Sequence, residues 1–344
     1  NISPILSSML VNRRVKTFDE AKKFFRPNFE MLHDPFLMKD MSLAVERIQK
    51  AIQKNESIMI FGDYDVDGTS SVALLSLYLE SLGLKIIKYL PDRKKEGYGV
   101  SINAIDHAFS KNHKLIIALD CGIKAHKQVE YAKEKGIEFI ICDHHNPDKN
   151  LPKALAILNP KRKDCAYPFK ELCGCGVGFK LVQAVESKQS KNNQIINYLD
   201  LVALAIAADV VPLTGENRVL AFIGLQIINS NPRPGVHSLL KKNVKKEYTI
   251  SDLMYYVGPR INAAGRMKHA SLALELLICN DINSVEKLAL EIEDLNTSRR
   301  DVEKDITSQA IEQVDNSSEK LSSIVVFDSD WNKGVIGIVA SRLV

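Results

Sequence analysis

Short apolar runs ending in aspartate mark the first two-thirds of the chain. Ser57–Phe61 leads into Gly62-Asp63-Tyr64-Asp65-Val66-Asp67-Gly68, Leu115–Leu119 into Asp120-Cys121-Gly122, and Phe139–Cys142 into Asp143-His144-His145-Asn146. These runs are β-branched or apolar and bounded by Gly or Asp, which predicts buried strands of a parallel sheet. Lys85–Tyr89 predicts a further strand. Helical patterns lie between them, over Thr69–Leu82 and roughly 124–135. Strand alternating with helix predicts a doubly wound, mainly parallel α/β sheet, in which sites form in the loops past the carboxyl ends of the strands. A later run, Leu201–Ala208, is helix-like and closes on Asp209.

The same pattern divides the chain. Residues 1–50 read as a helical lead-in, with Phe18–Phe25 an amphipathic segment. Residues 51–283 read as a catalytic domain, α/β to about 160 and mostly helical after it, with Pro212, Pro232, Pro234 and Pro259 at turns. Residues 284–318 form a connector, helical over 284–314, polar and bearing Asn296, Arg299 and Arg300. A strand at Ile324–Phe327 and a helix over 334–343 would open a second α/β domain over 319–344. One strand and one helix cannot enclose a core, so Val335, Ile336, Ile338 and Val339 are expected to lack most of their packing partners, and the chain is expected to be a fragment.

The chemistry lies at the run ends. Asp and Gly after a strand are ordinary turn and N-cap residues, and one such loop would carry little weight. Several at neighbouring strand ends, one with alternating carboxylates and one with adjacent histidines, concentrate negative charge that burial would make prohibitive without cations. That predicts a site for hard divalent metal ions. Oxygen donors with one or two imidazoles suit Mn²⁺ or Mg²⁺. Phosphodiester hydrolysis needs a nucleophile at neutral pH and neutralisation of charge on the phosphoryl oxygens, and two divalent ions ~3.5–4 Å apart supply both.

Asp-Tyr-Asp-Val-Asp-Gly at 63–68, Leu-Asp-Cys-Gly at 119–122, Asp-His-His at 143–145 and Ala-Asp-Val-Val-Pro-Leu at 208–213 resemble, in order, the four motifs of the DHH phosphoesterase superfamily. Val257–Met267 (VGPRINAAGRM) resembles a signature of its RecJ type, the bacterial single-strand-specific exonucleases. Trp331–Leu343 resembles the opening of that family's second, DHHA1-type domain. The resemblance implies that Asp63 and Asp65 hold one ion, that Asp67, His144 and Asp209 hold the other, and that Asp120 bridges them. It implies that His145 faces the scissile phosphate and Asp143 orients the histidines. Related phosphatases often carry His where this chain has Phe61, and Asp63 takes over that ligand position. The family's second domain bears a glycine- and histidine-containing substrate motif that is not present through Val344, so the expected fragment would hold the metal centre and half of the DNA groove.

Substrate contacts are expected from Arg93 and Tyr98, in the basic turn after Lys85–Tyr89. Arginine can grip a phosphate through two parallel hydrogen bonds and tyrosine can stack on a base. Arg260, Asn262 and Arg266 are expected to contact the strand backbone, the alternative for them being helix caps or core ion pairs. A net charge of +4 is too small to require a nucleic-acid partner, so any basic groove must be local. The six cysteines lack zinc-site spacing; Cys173-Gly-Cys175 reads as packing in a Gly-rich turn, and free thiols fit a reducing cytosol. No apolar stretch is long enough to span a bilayer and no signal peptide is evident, although the chain begins at Asn1 rather than Met.

The leading expectation is a metal-dependent exonuclease acting on single-stranded DNA, 5′ to 3′ by resemblance, in cytoplasmic repair and recombination. A monomer is expected, with a single-strand-binding protein and a helicase as partners by resemblance. A phosphodiesterase for short oligonucleotides or cyclic dinucleotides is disfavoured by the Arg260 motif and the long connector. A catalytically dead DNA-binding scaffold should have lost metal ligands that this chain keeps.

Overall fold

The structure, a computed structural model, describes residues 2–189, 195–241, 243–315 and 323–343. Five parallel strands, β1 (Ile58–Gly62), β2 (Ile86–Tyr89), β3 (Leu115–Leu119), β4 (Glu138–Cys142) and β5 (Ala156–Leu158), form one sheet in the order β2-β1-β3-β4-β5. The period of two along each strand sends alternate residues to opposite cores. Ile58, Ile60, Leu115, Ile117, Leu119, Ile140 and Cys142 face one core, while Met59, Phe61, Ile116, Ala118, Phe139 and Ile141 face the other. Both faces are covered by helices, which is why these strands read as continuous apolar runs rather than alternating ones. The three-residue edge strand β5 is too short to carry a pattern of its own, and the sequence did not reveal it.

Four helices, α1 (Pro4–Asn12), α2 (Phe18–Phe25), α3 (Met41–Lys54) and α4 (Val66–Ser81), precede β2, and α5 (Ile102–Ser110) and α6 (His126–Glu134) follow β2 and β3. A capping box between Thr17 and Glu20 starts α2. The segment between α2 and α3 is tied down by a buried network. Lys180 donates to the His33 carbonyl (2.7 Å) and to Glu216 (3.1 Å), whose other oxygen accepts from Tyr167 (2.7 Å). The helix expected from Thr69 begins at Val66, with Asp65 as its N-cap, accepting from the Gly68 amide at 3.0 Å. Asp67 therefore sits in the first helical turn rather than in a loop.

The helical half comprises α7 (Gly174–Glu186), α8 (Leu199–Asp209), α9 (Gly215–Ser230) and α10 (Pro234–Leu240), then α11 (Ile250–Asp252), which runs through a π turn (Leu253–Val257) into α12 (Gly258–Met267), and α13 (Ser271–Ile278). Helix α8 is apolar on all sides because α4 and α9 enclose it. The long helix α14 spans Ile282–Asp315 and is followed after a gap by α15 (Ile336–Arg342). Residues 316–322 of the expected connector and second domain lie outside the described residues, as does Val344.

Two expectations for this end are corrected. Ile324–Phe327 is not a strand: the Gln313 side-chain amide takes the place of a neighbouring strand, donating to the Phe327 carbonyl and accepting from its amide, each at 3.1 Å. Val335 and Val339 are not left without partners either, since they are buried against Ile306 and Ala310 of α14. Of that group Ile336 remains exposed. Among the described residues no helix is long and apolar enough to cross a membrane.

Candidate metal centre

The strand order reverses between β1 and β3. The chain leaves β1 through α4 on one face, and the connection from β2 to β3 runs through α5 on the other. Loops past the carboxyl ends of these two strands part at such a point and leave a crevice. Asp63, Asp65 and Asp67 reach it from β1, Asp120 from β3, and Asp143, His144 and His145 from β4. Asp209 arrives from the last turn of α8, where a carboxylate opposes the helix dipole. Val210, which caps α8, holds a left-handed conformation (φ 56°) that a β-branched residue seldom adopts. Asp120 is also left-handed (φ 58°), a conformation aspartate tolerates better.

The side chains converge. Ligand atoms of Asp63, Asp65 and Asp120 lie within 4.8 Å of one another, as do those of Asp67, His144 and Asp209, and those of Asp120, His144 and His145. His144 Nε2 stands 3.2 Å from Asp120, 3.7 Å from Asp209 and 3.9 Å from Asp67. Buried Asp63 Oδ1 and Asp120 Oδ1 have no hydrogen-bond partner. Orphaned carboxylate oxygens packed this closely fit a cation and little else. Phe61, where related phosphatases often have His, instead stacks on Tyr89 in the opposite core at 5.7 Å.

Two groups that hold the cluster were not read from the sequence. The Gly174 and Cys175 amides, at the start of α7, donate to the two oxygens of Asp67 at 2.6 and 2.7 Å. A Cβ on Gly174 would stand 2.6 Å from Asp120, and one on Gly68 would stand 2.4 Å from the Asp63 carbonyl. The Cys173-Gly-Cys175 turn is thus the cradle of Asp67, and its glycine was the available signal. Asp143 orients one ring rather than two. Its Oδ1 accepts from His145 Nδ1 (2.7 Å) and from the amides of His144 and His145 (2.7 and 3.0 Å), and Oδ2 accepts from the Ile123 amide (2.9 Å). The His144 ring is outside this set.

Burial, and then the charge of Asp65, pushes Asp63 and Asp67 up to about 7. Burial and Asp67 raise Asp209 to about 6, and the same two causes lift Asp120 well above the carboxylate range. Burial lowers His144, which favours the neutral imidazole a metal takes. The hydrogen bond to Asp143 raises His145. Burial would raise Asp143, but the bond to His145 and that ring's charge outweigh it and hold the carboxyl below its usual range.

The linkage follows. Carboxyls whose folded pKa is raised stabilise the fold below their unfolded pKa, and that contribution is lost as pH rises through the folded value. The metal-free protein should therefore lose thermal stability between about pH 5 and 8, and Mn²⁺ should restore it most at the upper end. Melting in EDTA and in Mn²⁺ across this range checks it. Metal-free stability that rises with pH, or no response to Mn²⁺, would overturn the charge assignment.

The expected substrate residues divide. Tyr98 lies at the rim, its hydroxyl 3.3 Å from His145 Nε2 and its ring edge-on to Tyr64. The Arg93 guanidinium lies over the Tyr64 ring at 4.7 Å. Arg266 donates to the Gly334 carbonyl at 2.8 Å and feels the charges of Arg93, Arg299 and Asp65, while Arg299 is itself bonded to buried Glu303 and to Asn296. Arg299 was noted only as part of the polar helix. Asn262 is half-buried on α12.

Arg260 is not available as a backbone contact. It is buried, bonded to Glu293 of α14 at 2.7 and 3.2 Å and to the Tyr256 carbonyl at 2.8 Å. Arg260→Ala should destabilise the protein by about 3 kcal/mol, the order expected when one partner of a buried pair is removed. Its KM for an oligonucleotide at permissive temperature should stay near wild type. Denaturant melts and kinetics test this; a raised KM at unchanged stability would return Arg260 to the substrate groove.

Residues 57–206 match the DHH family, N-terminal domain. The chain is 40% identical over 349 residues to the single-stranded-DNA-specific exonuclease RecJ of Bacillus subtilis (strain 168), covering 100% of this chain and 43% of that protein. It is 35% identical over 360 residues to the RecJ of Escherichia coli (strain K12), covering 99% of this chain and 62% of that one. The chain thus spans about half the length of these curated relatives. Among solved structures it resembles exonuclease RecJ bound to manganese, with TM-score 0.82, 31% identity, and 91% and 78% of the two chains covered. It also resembles RecJ in complex with Mn²⁺ from Thermus thermophilus, with TM-score 0.83, 29% identity, and 97% and 47% covered.

Proposed function

This chain belongs to the DHH family and, within it, to the RecJ group, and on that premise we propose that it carries the metal-dependent centre of an exonuclease for single-stranded DNA. The observation that carries this reading is the convergence of Asp63, Asp65, Asp67, Asp120, His144 and Asp209 in one crevice, with orphaned oxygens on Asp63 and Asp120. Supporting it are the manganese bound in two similar RecJ structures and the substrate in the curated relatives' names.

In this proposal Asp63 and Asp65 hold one divalent ion, Asp67, His144 and Asp209 hold the other, and Asp120 serves both. Carboxylates with a single imidazole suit Mn²⁺ or Mg²⁺. When bound, such ions supply a nucleophile at neutral pH and neutralise charge on the phosphoryl oxygens. The α7 amides fix Asp67, so the cluster is positioned before substrate arrives. Asp143 holds His145 through Nδ1 and favours its protonated form, so that Nε2 presents a proton to the cleft at the phosphoryl group or the leaving oxygen. Arg93 and Arg266 offer charge to backbone phosphate, and Tyr98 offers a face for a base.

We further propose 5′ to 3′ polarity, a monomer, cytoplasmic repair and recombination, and a single-strand-binding protein and a helicase as partners; the cysteines, all free thiols, are in keeping with a reducing compartment. Digesting an oligonucleotide labelled at either end, single- and double-stranded, with Mn²⁺, Mg²⁺ or EDTA, tests the central reading. The expected result is metal-dependent release of mononucleotides from the 5′ end of the single strand only. Internal cuts, or equal action on duplex, would overturn it.

A further inference from the structure

A second basic surface lies beside the His145 loop of the metal centre. An open basin of about 600 Å³ beside the His145 loop is bordered by Asn146, Lys161, Lys163 and Lys170, with Glu171 as its acidic member. Lys170 donates to the Cys165 carbonyl at 2.8 Å. Among the described residues Lys161 and Lys163 form no ion pair, while Asp40 and Asp164 both hold Arg162.

The turn beneath these lysines is rigid. Arg162 is buried and bonded to Asp40 and to the Ile157 carbonyl, each at 2.6 Å, and to both oxygens of Asp164 at 3.0 and 2.8 Å. Fully buried Asn159 joins the turn to the site, donating to the His145 carbonyl at 2.9 Å and accepting from the Lys161 amide at 2.8 Å. Lys161 is thereby held at a set position relative to His145, and its charge is felt at His144. Arg93 instead lies over Tyr64, on the loop that carries Asp63 and Asp65. Cationic side chains thus stand at two loops of the centre, that of His145 and that of Asp63 and Asp65.

A single strand with one phosphate on the carboxylate cluster carries others along its length. Ammonium groups on a fixed turn suit such phosphates, since they need no particular base and little directional match. We propose that Lys161 and Lys163 bind a backbone phosphate flanking the scissile one, which makes this turn part of the strand's track. The proposal rests on the exonuclease reading above.

The test compares wild type with K161A/K163A and K161E/K163E on two substrates, a long single strand and a dinucleoside monophosphate, whose only phosphate is the scissile one. The ratio of kcat/KM for the long strand to that for the dinucleoside should fall in the alanine variant and further in the glutamate variant. The slope of log KM against log salt for the long strand should shrink by roughly 0.7 for each phosphate no longer neutralised by a lysine. An unchanged ratio, or equal loss on both substrates, overturns the proposal. Anisotropy of a fluorescent long strand in EDTA provides a readout that does not need turnover. If the wild type cleaves neither substrate, the exonuclease reading fails, and strand binding unaffected by K161E/K163E then overturns the lysine track as well.

Discussion

Asp120→Asn is expected to abolish hydrolysis while leaving the metal-free fold as stable as wild type, or more so. Asp120 contributes to two of the three ligand groups, lies 3.2 Å from His144, and has a buried oxygen with no hydrogen-bond partner. Its loss should exceed the roughly 10- to 100-fold effect of disturbing an outer-sphere partner, because no neighbouring oxygen can serve both ions. Asparagine is the informative replacement because it tolerates the left-handed backbone at this position and keeps the side-chain shape. Burial and the charge of Asp67 already oppose ionisation here, so removing the charge relieves the metal-free protein. The rise in melting temperature produced by Mn²⁺ should be largely lost. Turnover near wild type would end the two-ion assignment.

The two histidines should separate binding from chemistry. His144→Ala is expected to remove most Mn²⁺ affinity, since Nε2 faces Asp67, Asp120 and Asp209 together. His145→Ala should retain Mn²⁺ binding and lower kcat by about 10²- to 10⁴-fold, the range for a proton donor placed at the reacting group. Asp143→Asn should keep part of the activity and shift the alkaline limb of the pH profile downward, because the bond that raises the His145 pKa and keeps the ring protonated is weakened. Calorimetric Mn²⁺ titration beside steady-state kinetics distinguishes the roles. Equal loss of Mn²⁺ binding in His144→Ala and His145→Ala would mean that both are ligands.

Much of the centre was legible because its residues follow strand ends. A buried parallel strand announces itself as an apolar run, and the residue after it enters the crevice whatever the remaining chain does. Asp63, Asp65, Asp120, Asp143, His144 and His145 are all placed by this rule. Asp209 was also visible as the end of an apolar run, but that run is a helix remote in sequence, and its place beside Asp67 and His144 came from the family resemblance. Asp67 was recognised as a candidate but placed in a loop, since nothing local shows that α4 begins at Val66.

Local order alone therefore determined the five-residue strands β1, β3 and β4, the amphipathic segment Phe18–Phe25 and the long polar helix, because period and capping act over neighbouring residues. Tertiary structure decided the rest, through contacts whose partners no spacing rule connects. The α7 amides reach Asp67 across 107 and 108 residues and turn an apparent packing motif into the support of a ligand. Glu293 reaches Arg260 across 33 residues and removes an expected DNA contact by burying it. Gln313 satisfies Phe327, so an apolar run with strand composition has no strand to join. In each case the residue's own preference was compatible with two outcomes, and a partner from outside its own segment chose between them, because a polar group takes its hydrogen-bond partner wherever the fold supplies one.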